Sequence, residues 1–246
     1  MKLVDSIEAL IKGKLIASIR EPRAYIEVRE RKGERTLLYN GITFSRVRKD
    51  SLFTYGYWDY FMPLPSVFNK ANVLIIGLGG GTVPYQLETL YSDISIDAVE
   101  INPNMASMAK VFLPRSLRSR IIIANGVDFV KMASGAYDLI ILDTYINARI
   151  PSEFMGSAFI QDAYKALKQK GILAINYALS SDNTPYFDDY KGRLKCCFKV
   201  GIVGAYNLGN RIMVCMKGID KEELDRAVQG FGSKKIANDY ISMKTL

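Results

Sequence analysis

Val73-Leu74-Ile75-Ile76-Gly77-Leu78-Gly79-Gly80-Gly81-Thr82 sets a four-residue apolar run directly against a cluster of glycines. A short, nearly continuous aliphatic run suits a strand covered on both faces of a parallel sheet. The glycines behind it let the backbone turn tightly and approach a ligand closely, because no Cβ intervenes. Four further apolar runs follow, at residues 94–99, 121–123, 139–142 and 172–175. Helix signals lie between them. Pro84 stands where a first-turn proline is tolerated, and Asn102-Pro103 pairs a good N-cap with proline at the first helical position. Residues 153–170 have helical periodicity through Phe154, Ala158, Ala163 and Leu167, and a stop at Gly171. Residues 198–203 and 211–216 flank a turn and read as an antiparallel hairpin closing the sheet. Asp220 with Glu223 predicts a capping box for a helix near residues 220–229. The alternation predicts an α/β, doubly wound fold.

Upstream the rhythm is different. Residues 24–28 and 36–39 bracket Lys32-Gly33-Glu34, a hairpin signal, and Asn40-Gly41 supplies a second turn before an extended stretch at 42–44. A first helix is expected ahead of these strands. Met62-Pro63-Leu64-Pro65 breaks the pattern. The expected division is therefore a small N-terminal β domain over residues 1–65 and a larger ligand-binding domain over residues 66–246.

Composition narrows the chemistry. The chain has 246 residues, 49% of them hydrophobic, enough for one sizeable core and too apolar for disorder. No run approaches the ~20 apolar residues of a membrane span. Residues 1–20 carry Asp5, Glu8, Lys12 and Lys14 among their apolar positions and do not read as a signal peptide, so a cytoplasmic protein is expected. With no histidine in the chain, His-based triads, Cys-His dyads and His-liganded zinc are removed. Cys196, Cys197 and Cys215 have no CxxC spacing and read as packing residues in a reducing compartment. Asp, Glu, Tyr, Lys, Arg, backbone dipoles or a bound cosubstrate must do the work, and no metal site is expected. The net charge of +8 is densest around residues 29–49, where Glu30, Glu34 and Asp50 interrupt the basic residues. That pattern reads as a solvated hairpin surface and does not by itself indicate nucleic acid.

Glu100 ends the second strand of the α/β part, 23 residues after Gly77. A carboxylate there can accept hydrogen bonds from both ribose hydroxyls of a nucleoside lying over the glycine loop. The loop lacks the third glycine of G-x-G-x-x-G. Asn125-Gly126 after the third strand and Asp143 after the fourth add polar groups along the same sheet edge, where ligands of open α/β sheets bind. The asparagine amide and nearby backbone N–H groups suit an adenine, with Asp143 near the reacting end. An adenosyl-sulfonium compound fits this arrangement better than NAD.

The stretch from Leu37 to about Tyr177 resembles the spermidine synthase (polyamine aminopropyltransferase) family. Leu37-Leu-Tyr-Asn-Gly41 resembles its L-x-L-D-G hairpin, and Tyr57-Trp58-Asp59 falls at its Tyr-His-Glu. Residues 73–82 resemble its glycine-rich loop, and Val99-Glu100-Ile101-Asn102 its V-E-I-D. Asn125-Gly126-Val127-Asp128-Phe129 lies on its adenine-binding segment, and residues 137–143 match the strand that delivers its catalytic aspartate. The resemblance implies a seven-stranded, mostly parallel Rossmann-like sheet of the methyltransferase type. It implies decarboxylated S-adenosylmethionine or S-adenosylmethionine as cosubstrate, a small-molecule amine acceptor and a homo-oligomer. On this resemblance Asp143 is expected in the catalytic role, and Gly77, Gly79, Gly80, Gly81, Glu100, Asn125 and Gly126 in the cosubstrate site. Tyr57 and Tyr145 are expected to shape the acceptor pocket, and Asp59 to hold a cationic end.

The sequence also departs from the family pattern. The second acid of the gate loop is Ile146, and the acid of the glycine loop is Gly80. Each lost charge-assisted hydrogen bond to a cationic substrate costs on the order of 1.5–3 kcal/mol. Three readings follow: aminopropyl transfer to an amine; methyl transfer from S-adenosylmethionine to a small molecule or RNA; and a non-catalytic relative that keeps the nucleoside pocket.

Overall fold

Two sheets form, and the alternation of side chains along their strands decides what each packs against. The computed structural model describes residues 13–146, 149–179, 184–206 and 209–246. The helix expected ahead of the first strand lies outside these described residues. The first sheet is antiparallel, in the order β1 (Lys14–Glu21), β2 (Ala24–Arg31), β3 (Glu34–Tyr39), β4 (Ile42–Arg48). Its β2–β3 and β3–β4 hairpins turn at Lys32-Gly33 and Asn40-Gly41, all four residues with positive φ, the geometry that matches the right-handed twist of a tight hairpin. The basic stretch is largely paired within this sheet. Arg35 meets Glu30 at 2.7 Å, Arg46 and Arg48 share Glu34 at 3.3 and 3.4 Å, and Arg29 is buried against Glu27 at 2.7 Å.

The second sheet has seven strands in the order β10-β11-β9-β8-β5-β6-β7. Strands β5 (Asn72–Ile76), β6 (Ser95–Glu100), β7 (Arg120–Ile123), β8 (Tyr137–Leu142) and β9 (Leu167–Ala178) run parallel. Strands β10 (Lys199–Ala205) and β11 (Asn210–Lys217) add the expected antiparallel hairpin at one edge. Along β5 the side chains alternate faces. Val73 and Ile75 pack in one cluster with α1 (Thr82–Leu90), α7 (Lys221–Gln229) and α8 (Lys234–Ile241). Leu74 and Ile76 pack in another with α3 (Gly126–Met132), α5 (Ser157–Ala166) and α6 (Phe187–Lys195). Burying each such side chain contributes about 1.5–3 kcal/mol, which explains why both faces read as uninterrupted apolar runs.

Two local expectations are corrected. The helix expected over residues 153–170 is two helices, α4 (Ser152–Met155) and α5, separated at Gly156. It ends at Ala166, because Leu167 leaves the helix to pair with Tyr137 and begin β9. The capping box at α7 does not form. Asp220 makes no side-chain cap, and the Glu223 carboxylate instead accepts from Lys170 Nζ at 3.1 Å.

The two sheets meet through α2 (Pro103–Phe112), capped by Asn102 Oδ1, which accepts from the backbone N–H of Asn104 and Met105. Its Met105, Met108 and Phe112 pack with Ile26, Val28, Leu37 and Val47 of the antiparallel sheet. Strand β4 is also stitched to the glycine loop: Gly80 N donates to Ser45 Oγ at 2.7 Å, and Thr82 Oγ1 accepts from Arg46 N and donates to Arg46 O. Replacing the fully buried Phe112 by alanine is expected to cost about 3–5 kcal/mol in urea unfolding. A loss below about 1 kcal/mol would mean the sheets do not depend on this contact.

Candidate functional site

At the carboxyl ends of β5, β6 and β8 the chains diverge. Gly77 follows β5 with φ +91°, and its N–H donates to Val99 O at 2.9 Å. A Cβ at Gly77 would overlap the carbonyl oxygen of Asp143, so no other residue fits here without moving β8. The N–H groups of Leu78 and Gly79 then turn onto Glu100 Oε2 at 3.0 and 3.3 Å, and Asn102 N donates to Oε1 at 2.9 Å. Burial pushes the Glu100 carboxyl above its ordinary value, and these N–H donors oppose the rise.

A cavity of about 650 Å³ opens above this turn, roofed by β4 and the Asn40-Gly41 hairpin. Its lining includes Gly77, Gly79, Glu100, Asn125, Gly126, Tyr57, Asp143 and Tyr145, so the structure brings most of the expected site together. Gly80 and Gly81 stand outside the lining. A Cβ at Gly80 would lie 2.7 Å from Phe112 Cδ1 and 2.8 Å from Ser45 Cβ, so this position is packed against the roof's support. Gly81 provides the left-handed residue before α1. Asn125 caps α3, its Oδ1 accepting from Val127 N at 2.8 Å. At Gly126 a Cβ would overlap Ile76 Cγ2, which keeps the backbone low against the cavity floor.

Asp143 follows β8 and lines the cavity. Asn176 Nδ2 donates to its Oδ1 at 2.9 Å and Tyr57 OH to its Oδ2 at 3.2 Å. Burial pushes its carboxyl up to about 6, against the lowering effect of these two donors. The Tyr57 phenol is itself held well above its usual range by burial and by the neighbouring Asp143, so it stays a proton donor. Tyr145 contributes its ring to the wall. Its hydroxyl is committed, donating to Asn176 O at 2.7 Å and accepting from Ala178 N at 2.8 Å.

Asp59 does not border this cavity. It is fully buried and accepts from Thr54 N and Oγ1, Tyr55 N and Gln86 Nε2, tying the segment before the 3-10 turn Tyr57–Phe61 to α1. The role expected for it with a cationic substrate is replaced by a structural one, because its acceptor capacity is already taken. Sequence reasoning passed over Asn176, Asn210, Glu153 and Arg23, all of which line the cavity. Asn176 and Asn210 carried a usable signal, since both sit at ends of apolar strand runs on the ligand edge. Among the described residues no group of three or more His, Cys, Asp or Glu is placed to hold a metal, and no helix is long and apolar enough to cross a membrane.

Comparison with known proteins places the chain in a family. The family model described as the spermine/spermidine synthase domain matches residues 60–200. A protein from Bifidobacterium longum described as a probable polyamine aminopropyl transferase is 24% identical over 215 residues, covering 86% of this chain and 46% of its own. A polyamine aminopropyltransferase from Clostridium botulinum is 29% identical over 149 residues, covering 58% of this chain and 51% of its own. The chain thus spans about half the length of these curated relatives. The crystal structure of spermidine synthase from Thermotoga maritima superposes with a TM-score of 0.73 at 19% identity, covering 94% of this chain and 85% of that one.

The placement of Asp59 has a direct test. Asp59→Ala strands at least three buried donors and is expected to lower stability by about 2–4 kcal/mol in thermal or urea unfolding. Unchanged stability with impaired substrate binding would return Asp59 to the site.

Proposed function

This chain belongs to the spermine/spermidine synthase family, and from that premise we propose that it transfers an aminopropyl group from decarboxylated S-adenosylmethionine to a small amine. The observation that carries the reading is Asp143, a carboxylate with its pKa raised to about 6 at the floor of the cavity that Glu100 and the glycine loop border. In this reading Glu100 takes the ribose hydroxyls, and Asn125 with the backbone at Gly126 faces the adenine.

The sulfonium is already an activated leaving group, so positioning and proton control are the protein's main contributions. The neutral amine nitrogen attacks the aminopropyl carbon bound to sulfur, in line with the breaking C–S bond. The C–N bond forms as the C–S pair returns to sulfur, giving methylthioadenosine. The positive charge passes to nitrogen, and Asp143 accepts the proton the amine sheds. A base titrating near 6 is largely ionised at neutral pH and basic enough to orient an amine. Tyr57 and Asn176 each occupy one oxygen of Asp143 and leave its remaining lone pairs for the acceptor. Glu153 shares the cavity, so its charged lining is three carboxylates against Arg23, which suits a cationic acceptor. The proposal places the protein in the cytoplasm, in keeping with three free cysteines, of which Cys215 is a buried packing residue.

The test is a product assay by mass spectrometry with decarboxylated or intact S-adenosylmethionine and a panel of amines. Methylthioadenosine together with an aminopropylated amine is expected; S-adenosylhomocysteine would make the chain a methyltransferase instead. Asp143→Asn is expected to lower kcat by about 10²–10⁴-fold. Glu100→Gln should weaken donor binding by about tenfold or more while sparing kcat. Because activity needs the Asp143 carboxylate, kcat/KM should fall as pH drops through about 6. A flat profile from pH 5 to 8 would contradict that role.

A further inference from the structure

Three side chains run in line from the sheet edge to the cavity floor. Asn210 Nδ2 donates to Asn176 Oδ1 at 2.8 Å, and Asn176 Nδ2 donates to Asp143 Oδ1 at 2.9 Å. Asn176 lies near the end of β9, only 1% exposed, and Asn210 opens β11 at the cavity rim. In the β9–β11 ladder Asn176 pairs with Ile212 and Asn210 with Ala178, so the two asparagines are diagonal neighbours on one face. The end of β9 is held by the Tyr145 hydroxyl, which donates to Asn176 O and accepts from Ala178 N, so the Asn176 backbone is fixed while its side-chain amide faces Asn210 and Asp143.

An asparagine amide has nearly the same shape either way round, but its two ends have opposite hydrogen-bonding character. Turned over, Asn176 would set its NH₂ against the NH₂ of Asn210 and its carbonyl oxygen against the Asp143 carboxylate. Both contacts are repulsive. We propose that Asn210 is a positioning residue that fixes the polarity of the Asn176 amide and thereby keeps a hydrogen-bond donor on the Asp143 carboxylate. The inference rests on the reading of Asp143 as the base of the transfer, and extends it to two residues that do not themselves accept the proton.

The titratable groups facing Asp143 are Tyr57, from the 3-10 turn, and Tyr145, from its own loop; both phenols are held well above their usual range. Glu100, Glu153 and Arg23 border the same cavity from β6, the α4 helix and the β1–β2 turn. Neither tyrosine changes charge between pH 5 and 8, so the polarity of Asn176 is the adjustable contribution among Asp143's direct partners.

The experiment follows the Asp143 carboxyl by ¹³C NMR titration of the full chain labelled at aspartate, the signal being assigned by its loss in Asp143→Asn. Asn176→Leu is expected to raise the Asp143 midpoint by about one pH unit. Asn210→Leu should raise it in the same direction, and add nothing when placed on Asn176→Leu, because its effect passes through that amide. Asn210→Ala, which removes the donor without adding a charge, should raise it likewise and serves if the leucine variant does not fold. The acid limb of kcat/KM should move by the same amount in each variant. An unchanged midpoint in Asn210→Leu or, where that variant does not fold, in Asn210→Ala overturns the proposal. So does an equal increment from Asn210→Leu with and without Asn176. The titration needs no turnover, so it judges the relay even if no aminopropyl product forms, and a failed relay leaves the product assay standing.

Discussion

The site depends on a contact between two backbones. Strand β5 lies between β6 and β8, and its last residue, Ile76, pairs with Val99 on one side and Leu142 on the other. One residue later Gly77 donates to Val99 O, Asp143 donates to Ile76 O, and the Asp143 carbonyl occupies the space a Cβ at Gly77 would need. The chain connections reverse direction at this point of the strand order, which leaves a crevice over the carboxyl edge. Any side chain at Gly77 would push β8 away, and Asp143 with it. The glycine loop and Asp143 are therefore held at one separation by sterics, before any hydrogen bond is counted.

Electrostatics then gives two nearby carboxylates different work. Glu100 is held by the backbone N–H groups of Leu78 and Gly79 in the loop it organises and by that of Asn102 on its own segment, so much of its charge faces fixed dipoles. Asp143 is held by two side chains, Tyr57 and Asn176, one on each carboxylate oxygen. Burial raises both carboxyls, that of Asp143 to about 6. The antiparallel sheet completes the enclosure. Ser45 and Thr82 clamp β4 to the glycine loop, and the space an acid at position 80 would require is filled by Ser45 and Phe112.

The sheet was legible in the sequence because inner strands covered on both faces favour apolar residues: the runs beginning at Val73, Leu139 and Ile172 are uninterrupted, and the run from Ile94 admits only Ser95 and Asp97, at an exposed and a half-buried position. The end of α5 was not. Leu167 continues the helical spacing, and only its pairing with Tyr137 across the sheet turns it into strand. The capping box at Asp220 failed for a similar reason, since Lys170, distant in sequence, competes for Glu223. Glu100 and Asp143 were legible because acids ending apolar strands carry a clear signal. The same rule reaches Asn176, one residue past Ile175, but an amide draws less attention than an acid. Asp59 misled because sequence position cannot reveal that Thr54, Tyr55 and Gln86 already occupy it.

An adenosyl donor held in one cavity between Glu100 and Asp143 is best sought in a crystal structure of the chain with 5′-methylthioadenosine. The ribose hydroxyls are expected on the Glu100 carboxylate, the adenine against Asn125 and Gly126, and the sulfur directed toward Asp143. A nucleoside bound outside this cavity, or with its sugar away from Glu100 and its sulfur away from Asp143, would contradict this placement.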